Sequence, residues 1–535
     1  MKNYLICAGG SGVRALESML HLCASGVGPE EIKVLVIDPD ASNGNYTRTN
    51  DLMTDYRDCC EAYRAKLGKE HFFATKVTAL AGGNGGGLQV WSPVDSTQSF
   101  SKVLGFDLLR PEHKDVARLL FTNSEMDMKL NVGFKGHPSL GAAALSLLPL
   151  YGVRDDPKAD PVWLRVGAQL SNDLAVGPVR VMIVGSVFGG TGASVFYPLA
   201  RRLRELAGAR VENLTIGVVA LAPYFTFPIS ADAPADGPDA RKFPIATQAA
   251  AQFYQHLRQT DTGQATAAPL NRRAWQFDAM FWLGDDKPAD VAYGAGGEHQ
   301  KNSAHFVELL AGLTCLDYFS RSATAAGLGG ACYFAGPEGD DKENVTTWKD
   351  LPLLALNRDD IRRKVLRFAL AGAMHAGFFT TLLDDAQSDL FKYPTAIPWY
   401  CERFKKLDDR DDRLNVPPHN AALAALSRFL SLRHFPWWRE VHTSAGGRVQ
   451  LLNVQSILFQ EGTGTASLDL GRLANILFPD RGLPNPNSVH NFFNQTCEQQ
   501  KLGPGETAAV DGAPAYLATL ANAAGEFARR EYPDV

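Results

Sequence analysis

Two glycine clusters, each set between an apolar run and a helix-periodic segment, restrict the fold of this chain more than any other feature. The first, Gly9-Gly10-Ser11-Gly12, follows the apolar run Asn3–Cys7 and precedes Val13–Ala24, where apolar residues recur at helical spacing. The second, Gly189-Gly190-Thr191-Gly192-Ala193-Ser194, follows Val179–Gly185 and precedes a helical pattern through Arg204. A strand that turns on glycine into a helix opens a βαβ unit, whose second strand lies parallel to the first. The β-branched run Lys33–Asp38 and the runs Leu214–Leu221 and Phe277–Leu283 read as further strands buried on both faces. The pattern therefore predicts an α/β fold over residues 1–320, built on a mostly parallel, doubly wound sheet.

A long helix over about 302–321 closes this unit, and the polar, acidic stretch Gly336–Lys349 marks the boundary after it. Residues 321–500 read as an α-rich α+β domain, with helical patterns at 358–383 and 420–433 and a strand at Val449–Phe459. Residues 501–535 read as a tail with a terminal helix from about Ala515 to Tyr532, opened by Pro514. Loops are expected at Ala81–Gly87, Ile229–Pro244 and Thr260–Pro269.

Charge and composition narrow the function classes. In 535 residues, 53 basic and 58 acidic side chains leave a net charge of −5, so no polyanion-binding surface is implied and nucleic acid is not an expected partner. The longest weakly polar run, Leu140–Val153, is broken by Pro149 and falls short of the roughly 20 residues that a spanning helix needs, so no membrane insertion is expected. The eight cysteines show no C-x-x-C and the histidines no H-E-x-x-H, so no metal centre is read, and the thiols are expected to be reduced and mostly buried. With no apolar leader at Met1–Gly10, a cytoplasmic location is expected.

Glycine turns that open helices have a chemical use. Without a Cβ, the backbone N–H groups approach a phosphate closely, at the helix end where the dipole favours negative charge. Gly10-Ser-Gly12-Val-Arg14-Ala15 fits G-x-G-x-x-A, and Asp38 ends the next strand where a dinucleotide fold places its ribose carboxylate. A Rossmann-type NAD(P)- or flavin-dependent oxidoreductase would use this one loop. It would leave the second loop without a ligand, whereas two loops on one sheet edge cradle one polyphosphate from two sides, with Thr191 and Ser194 adding hydroxyls. No G-x-x-x-x-G-K-[ST] occurs, which excludes a Walker P-loop.

Taken in order, these segments resemble the tubulin/FtsZ superfamily of GTP-binding, filament-forming proteins. Gly9–Gly12 is similar to its first phosphate loop, and Gly189–Ser194 to its signature G-G-G-T-G-[ST]-G loop, with two glycines after Phe188 instead of three. Asp38-Pro-Asp40-Ala41 falls at the family's N-T-D-A loop, and Gly133-Phe-Lys-Gly136-His137-Pro-Ser139-Leu-Gly141 at its third loop, which senses the terminal phosphate. Ala222–Phe227, containing Phe225, resembles the segment beside the ribose, and Phe306 and Glu308 stand where the central helix stacks on and reads the base. Arg14 takes the place of the asparagine that helps read guanine, and Pro228 and an insertion containing Arg241 replace the usual Glu and Arg.

The resemblance implies binding of a purine nucleoside triphosphate, GTP or GDP with Mg²⁺, and head-to-tail self-assembly. In that family a neighbouring subunit's G-x-x-N-x-D-x-x-D loop completes hydrolysis. Here Asn344-Val-Thr-Thr-Trp-Lys-Asp350 comes nearest, keeping the Asn and the last acid, so Asp350 is the candidate catalytic residue for slow hydrolysis in trans. A nucleotide-bound scaffold that does not hydrolyse, and that binds a protein partner through its C-terminal third, is the remaining expectation.

Overall fold

In the computed structural model the residues described are 1–68, 71–80, 87–134, 136–147, 160–228, 239–263, 273–294, 297–321, 331–337, 345–375, 417–444, 446, 448–449, 451–452, 495–497 and 512–531. Among them the strands are β1 (Lys2–Ala8), β2 (Glu31–Ile37), β3 (Lys76–Ala79), β4 (Val90–Trp91), β5 (Asn131–Phe134), β6 (Val179–Ser186), β7 (Leu214–Leu221), β8 (Phe225–Thr226), β9 (Ala279–Leu283), β10 (Ala289–Asp290) and β11 (Ala331–Ala335). Eight of them form one sheet, seven in the order β11-β9-β7-β6-β1-β2-β3 and β4 paired with β2 off that path. Every pairing in that sheet is parallel.

Residue alternation explains why the strands read as unbroken apolar runs. Leu5 and Cys7 of β1 face one core with Val34, Val36, Met182 and Val184, while Tyr4, Ile6 and Ala8 face the other with Leu35, Ile37, Val181 and Ile183. The first core is closed by the helices α1 (Gly9–Ala24), α2 (Gly44–Leu67) and α10 (Phe306–Ser320). The second is closed by α7 (Pro161–Val176), α8 (Gly190–Ala207) and α9 (Phe243–Gly263). A small third core, centred on Phe100, Phe121, Leu130 and Phe134, lies among α3 (Phe100–Val103), α4 (Pro111–Leu120), α5 (Asn123–Asp127) and α6 (Pro138–Ser146).

The chain runs outward from β1 to β2 and β3, then returns to lay β6 on the opposite side of β1. In register, Ala8 faces Ile37 on one side and Gly185 on the other. The sheet therefore has its switch point between β1 and β6, and both glycine turns leave the carboxyl edge there. The expected doubly wound parallel sheet is present. The predicted strand Leu214–Leu221 matches β7 in full, and β9 begins two residues after the expected start at Phe277.

The helix expected over about 302–321 begins at Phe306, after an extended approach. From Phe306 to Phe319 it is buried on all sides, as a helix placed between two packed layers must be. A Cβ at its Gly312 would sit 2.9 Å from Met19 N, so glycine is what lets α10 and α1 approach.

Beyond residue 321 the described helices are α11 (Arg358–Met374), α12 (Pro417–Arg428), α13 (Phe435–Ser444) and α14 (Gly512–Glu531), with wider π-type turns at Phe429–His434 joining α12 to α13. Their buried residues, including Phe368, Phe429, Trp437 and Tyr516, belong to the same core as α1, α2 and α10. These helices thus add a layer over the sheet unit. The Phe435–Trp438 cluster packs inside that layer, with Trp437 fully buried. Most of the expected strand at Val449–Phe459, the loop at 81–86 and most of the 229–244 insertion lie outside the described residues. No described helix is long and apolar enough to cross a membrane.

Candidate functional site

The carboxyl ends of β1 and β6 open into a cavity of about 480 Å³, within the usual range for small-molecule sites. Gly9, Gly10, Ser11, Arg14, Asp38, Asp40, Gly136, His137, Gly189, Gly190, Thr191, Gly192 and Phe225 line it. Of the residues singled out in the sequence, Gly12, Ser139, Ala193, Ser194, Phe306, Glu308 and Asp350 do not.

The three loops touch one another. A Cβ built on Gly9, whose φ is +70°, would lie 3.3 Å from the Thr191 Cβ, and one on Gly190 would lie 2.9 Å from Gly136 N. Loop one therefore rests on loop two, and loop two on loop three. Each loop opens a helix: α1 at Gly9, α8 at Gly190 and α6 at Pro138. None of these helices has a side-chain cap, and none carries an acid in its first turn. Their first N–H groups have no intrahelical acceptor, and the three dipoles place partial positive charge around one space. The arrangement suits an anion with several oxygens.

Carboxyl and hydroxyl groups sit on the same floor. Asp38 Oδ1 accepts from Asp40 N at 3.1 Å, and burial pushes its pKa up to about 7 against the lowering hydrogen bonds from Asp40 N and Thr191. Asp40 also lines the cavity, but its oxygens are held by Ser42 N and Oγ and by Gly297 N. Among the described residues no three His, Cys, Asp or Glu side chains are grouped as a metal site.

The remaining predicted residues have structural work. A Cβ at Gly12 would meet Val184 O at 2.5 Å, so this glycine seats α1 on β6. Ser194 is buried, and its Oγ donates to Thr191 O at 2.8 Å. Ser139 is exposed on α6. Phe306 is buried in the core, and its N–H donates to Ser444 Oγ at 3.0 Å.

Glu308 is 1% exposed. Its carboxylate takes Arg14 Nε and Nη2 at 2.8 and 3.0 Å, Tyr224 Oη at 2.9 Å and His305 N at 2.9 Å. The base-reading position expected of Glu308 is thus filled by partners from its own chain. Arg14 also pairs with Glu17 at 3.2 Å. Burial lowers its pKa, but the Glu308 and Glu17 charges outweigh that and hold it well above the usual value. From Glu17 the network passes to Arg48 at 2.6 Å, and Arg48 reaches Glu440 of α13 at 2.7 Å.

Asp350 lies on a short exposed turn, where Thr347 N and Oγ1 donate to it and keep its carboxyl below the usual range. Asn344, the partner expected for it, lies outside the described residues. Exposed Arg241 pairs with Asp239 at 2.9 Å.

Other lining residues come from places the glycine motifs do not mark. Asn43 and Asn45 open α2, and a Cβ at Gly10 would sit 3.5 Å from both their amide nitrogens. Asn43 donates to Gln300 Oε1 at 2.8 Å, and Asn302 N donates to Asn45 Oδ1 at 3.1 Å. Phe188, Tyr224, Phe227 and Phe243 join Phe225 in an aromatic wall, with Phe188 and Phe243 ring centroids 4.5 Å apart. Thr122 and Glu125 form a capping box on α5 and reach the cavity rim. The T-x-x-E spacing and the Asn before a helix are legible as caps. Gln300 carries no local signal, and Asn302 stood only at the expected start of the central helix. Comparison of the chain with protein-family models, curated proteins and solved structures found no match.

Proposed function

We propose that the cavity binds a purine nucleoside triphosphate, GTP before others, and that the chain assembles head to tail in the manner of the tubulin/FtsZ proteins its motifs resemble. The observation that carries this reading is the meeting of three uncapped helix starts in one cavity at the switch point of a parallel sheet. The phosphates lie on the loops at 9–12 and 189–192, with Gly136 and His137 over the terminal one. The aromatic wall of Phe225, Phe227 and Phe243 takes the base, since Phe306 and Glu308 are engaged elsewhere.

A divalent cation fits this donor set as a companion of the phosphates. Asp38 and the Thr191 hydroxyl stand beside one another, and Mg²⁺ is commonly held by one or two carboxylates plus phosphate oxygens. When bound it would offset phosphate charge. Head-to-tail contact is heterologous, and where such a contact does not close it generates a filament.

Chromatography of the small molecules released from heat-denatured protein tests the binding reading. A guanine or adenine nucleotide is expected, and NAD or flavin would overturn it in favour of an oxidoreductase. Thr191→Ala, which removes one hydroxyl and touches no backbone, is expected to weaken nucleotide binding about tenfold. Pelleting with GTP, GDP and a slowly hydrolysed analogue tests assembly, and sedimentation as a monomer under all three would refute it.

A further inference from the structure

We propose that His137, oriented by Glu125, is the general base that activates water against the terminal phosphate, so that hydrolysis is completed within one chain. This rests on the nucleotide reading above and replaces an acid supplied by a neighbour with a dyad already present at the cavity rim.

The dyad is built from both sides. Glu125 Oε1 meets His137 Nδ1 at 2.9 Å, while Glu125 Oε2 accepts from Thr122 N at 2.8 Å and Thr122 Oγ1 at 2.9 Å. Burial raises the Glu125 pKa, but the Thr122 donors and His137 outweigh it and keep the group below the usual carboxylate range. An ionised carboxylate only accepts, so in the neutral imidazole the proton sits on Nδ1, facing it, and Nε2 carries the lone pair. The backbone is held as well, since His137 N donates to Phe134 O at 2.7 Å.

Position follows from the loop contacts. Gly136 packs against Gly190, the first residue of α8, so His137 stands one residue from the point where loops two and three meet. Both dyad residues line the cavity, with 35% of the His137 side chain and 16% of that of Glu125 exposed. The imidazole is therefore partly open to water. Asp350, the acid a neighbour would supply, has its carboxylate accepting from Thr347 on its own turn.

In the step itself, a water oxygen bonds to the terminal phosphorus as the bond from that phosphorus to the bridging oxygen breaks. The water proton passes to His137 Nε2, and Glu125 stabilises the imidazolium that results. The products are a nucleoside diphosphate and inorganic phosphate, with no change of oxidation state. His137 is the catalytic residue, and Glu125 is a positioning residue.

The test measures GTP turnover and nucleotide affinity together, on the full chain, across a dilution series. Turnover per chain is expected to stay constant on dilution. His137→Ala is expected to lower turnover at saturating GTP by about 100-fold or more, as loss of a general base does, with affinity lowered far less, by about tenfold at most, for the lost contact to the terminal phosphate. Added imidazole should restore part of that loss, and the near-isosteric His137→Asn should behave as His137→Ala does. Glu125→Gln should lower turnover at least about tenfold, and Glu125→Asp should recover part of it. The proposal is overturned if a folded His137 variant that binds GTP keeps the wild-type rate, or if turnover disappears on dilution. It alone falls if the wild type binds GTP and hydrolyses none. If no nucleotide binds, the nucleotide reading falls with it.

Discussion

Three helix starts at the cavity differ from those of α7, α10 and α11, although α2 and α5, whose caps Asn43 and Thr122 also line the cavity, are sealed. Away from it, α7 is capped by Asp160, α11 by Asn357 with Asp359 and Asp360 in its first turn, and α10 by the reciprocal pair of His305 and Glu308. At the cavity, α1, α6 and α8 begin without a side-chain cap and without an acid. An uncapped helix start forgoes about 1 kcal/mol of stability, and three such starts share one space. The difference leaves the open N–H groups of these three available for the proposed ligand, while α7, α10 and α11 satisfy theirs from within the chain.

Breaking the sealed start of α10 should have the largest effect. Glu308→Ala leaves Arg14, only 1% exposed, without its main counter-charge and is expected to destabilise the fold by about 3–5 kcal/mol in denaturant unfolding. A loss under about 1 kcal/mol would show that the Arg14–Glu308 pair does not hold the cavity floor.

Next come the glycines of the open starts, which separate into two kinds. A Cβ at Gly192 would meet Ser186 O at 2.5 Å and Ser186 N at 2.6 Å, both backbone atoms. Gly192→Ala should therefore cost about 1–3 kcal/mol of stability. A Cβ at Gly10 would meet only side-chain amides at ordinary contact distance. Gly10→Ala should leave stability within about 0.5 kcal/mol and instead reduce nucleotide affinity. Equal melting losses for the two variants would erase the distinction between packing glycines and ligand glycines.

Asp38 sharpens the comparison through pH. Its pKa is raised from 3.8 to about 7 by burial in the floor of the cavity. In this window the folded state binds the proton more tightly than the unfolded state, so stability from this group is full below about pH 4 and falls as pH rises toward about 7. Asp38→Asn should remove that fall, making the nucleotide-free variant about 1–3 kcal/mol more stable than wild type at pH 8 and no more stable at pH 4. Parallel stability curves for the two proteins would contradict the assignment.

The smallest effects compare the two kinds of start directly. Asn357→Ala, at the sealed start of α11, should cost about 1 kcal/mol without changing nucleotide affinity. Ser11→Asp, in the first turn of α1, should add about 0.3–1 kcal/mol through the helix dipole while weakening binding of the anionic ligand at least about tenfold. If Ser11→Asp left affinity unchanged, the open start of α1 would not face phosphate.

Much of the fold was legible because its signals are local. A β-branched run, a glycine turn and a helical period lie within a few tens of residues, so β1, β2, β6, β7 and the helices after the glycine turns follow from short windows. The glycine side of the cavity was legible for the same reason. Its other walls were not: Gln300 lies in a segment without a motif, Asn302 was read only as the start of the central helix, and Phe243 opens a helix within the stretch Ile229–Pro244 expected as a loop. Glu308 shows the limit from the other side. Its position on the central helix was read correctly, but whether its carboxylate faced a ligand depended on Arg14, which lies 294 positions away.

By itself, then, the sequence determined the parallel α/β sheet, the two glycine turns at its carboxyl edge and the absence of a Walker loop. The tertiary structure alone decided that three uncapped helix starts converge, that Arg14 and Glu308 neutralise one another, and that Glu125 meets His137 on the rim. The physical reason is one of range. Backbone conformation is set by neighbours along the chain, whereas the state of a polar side chain is set by whichever partner the packing brings to within about 3 Å of it.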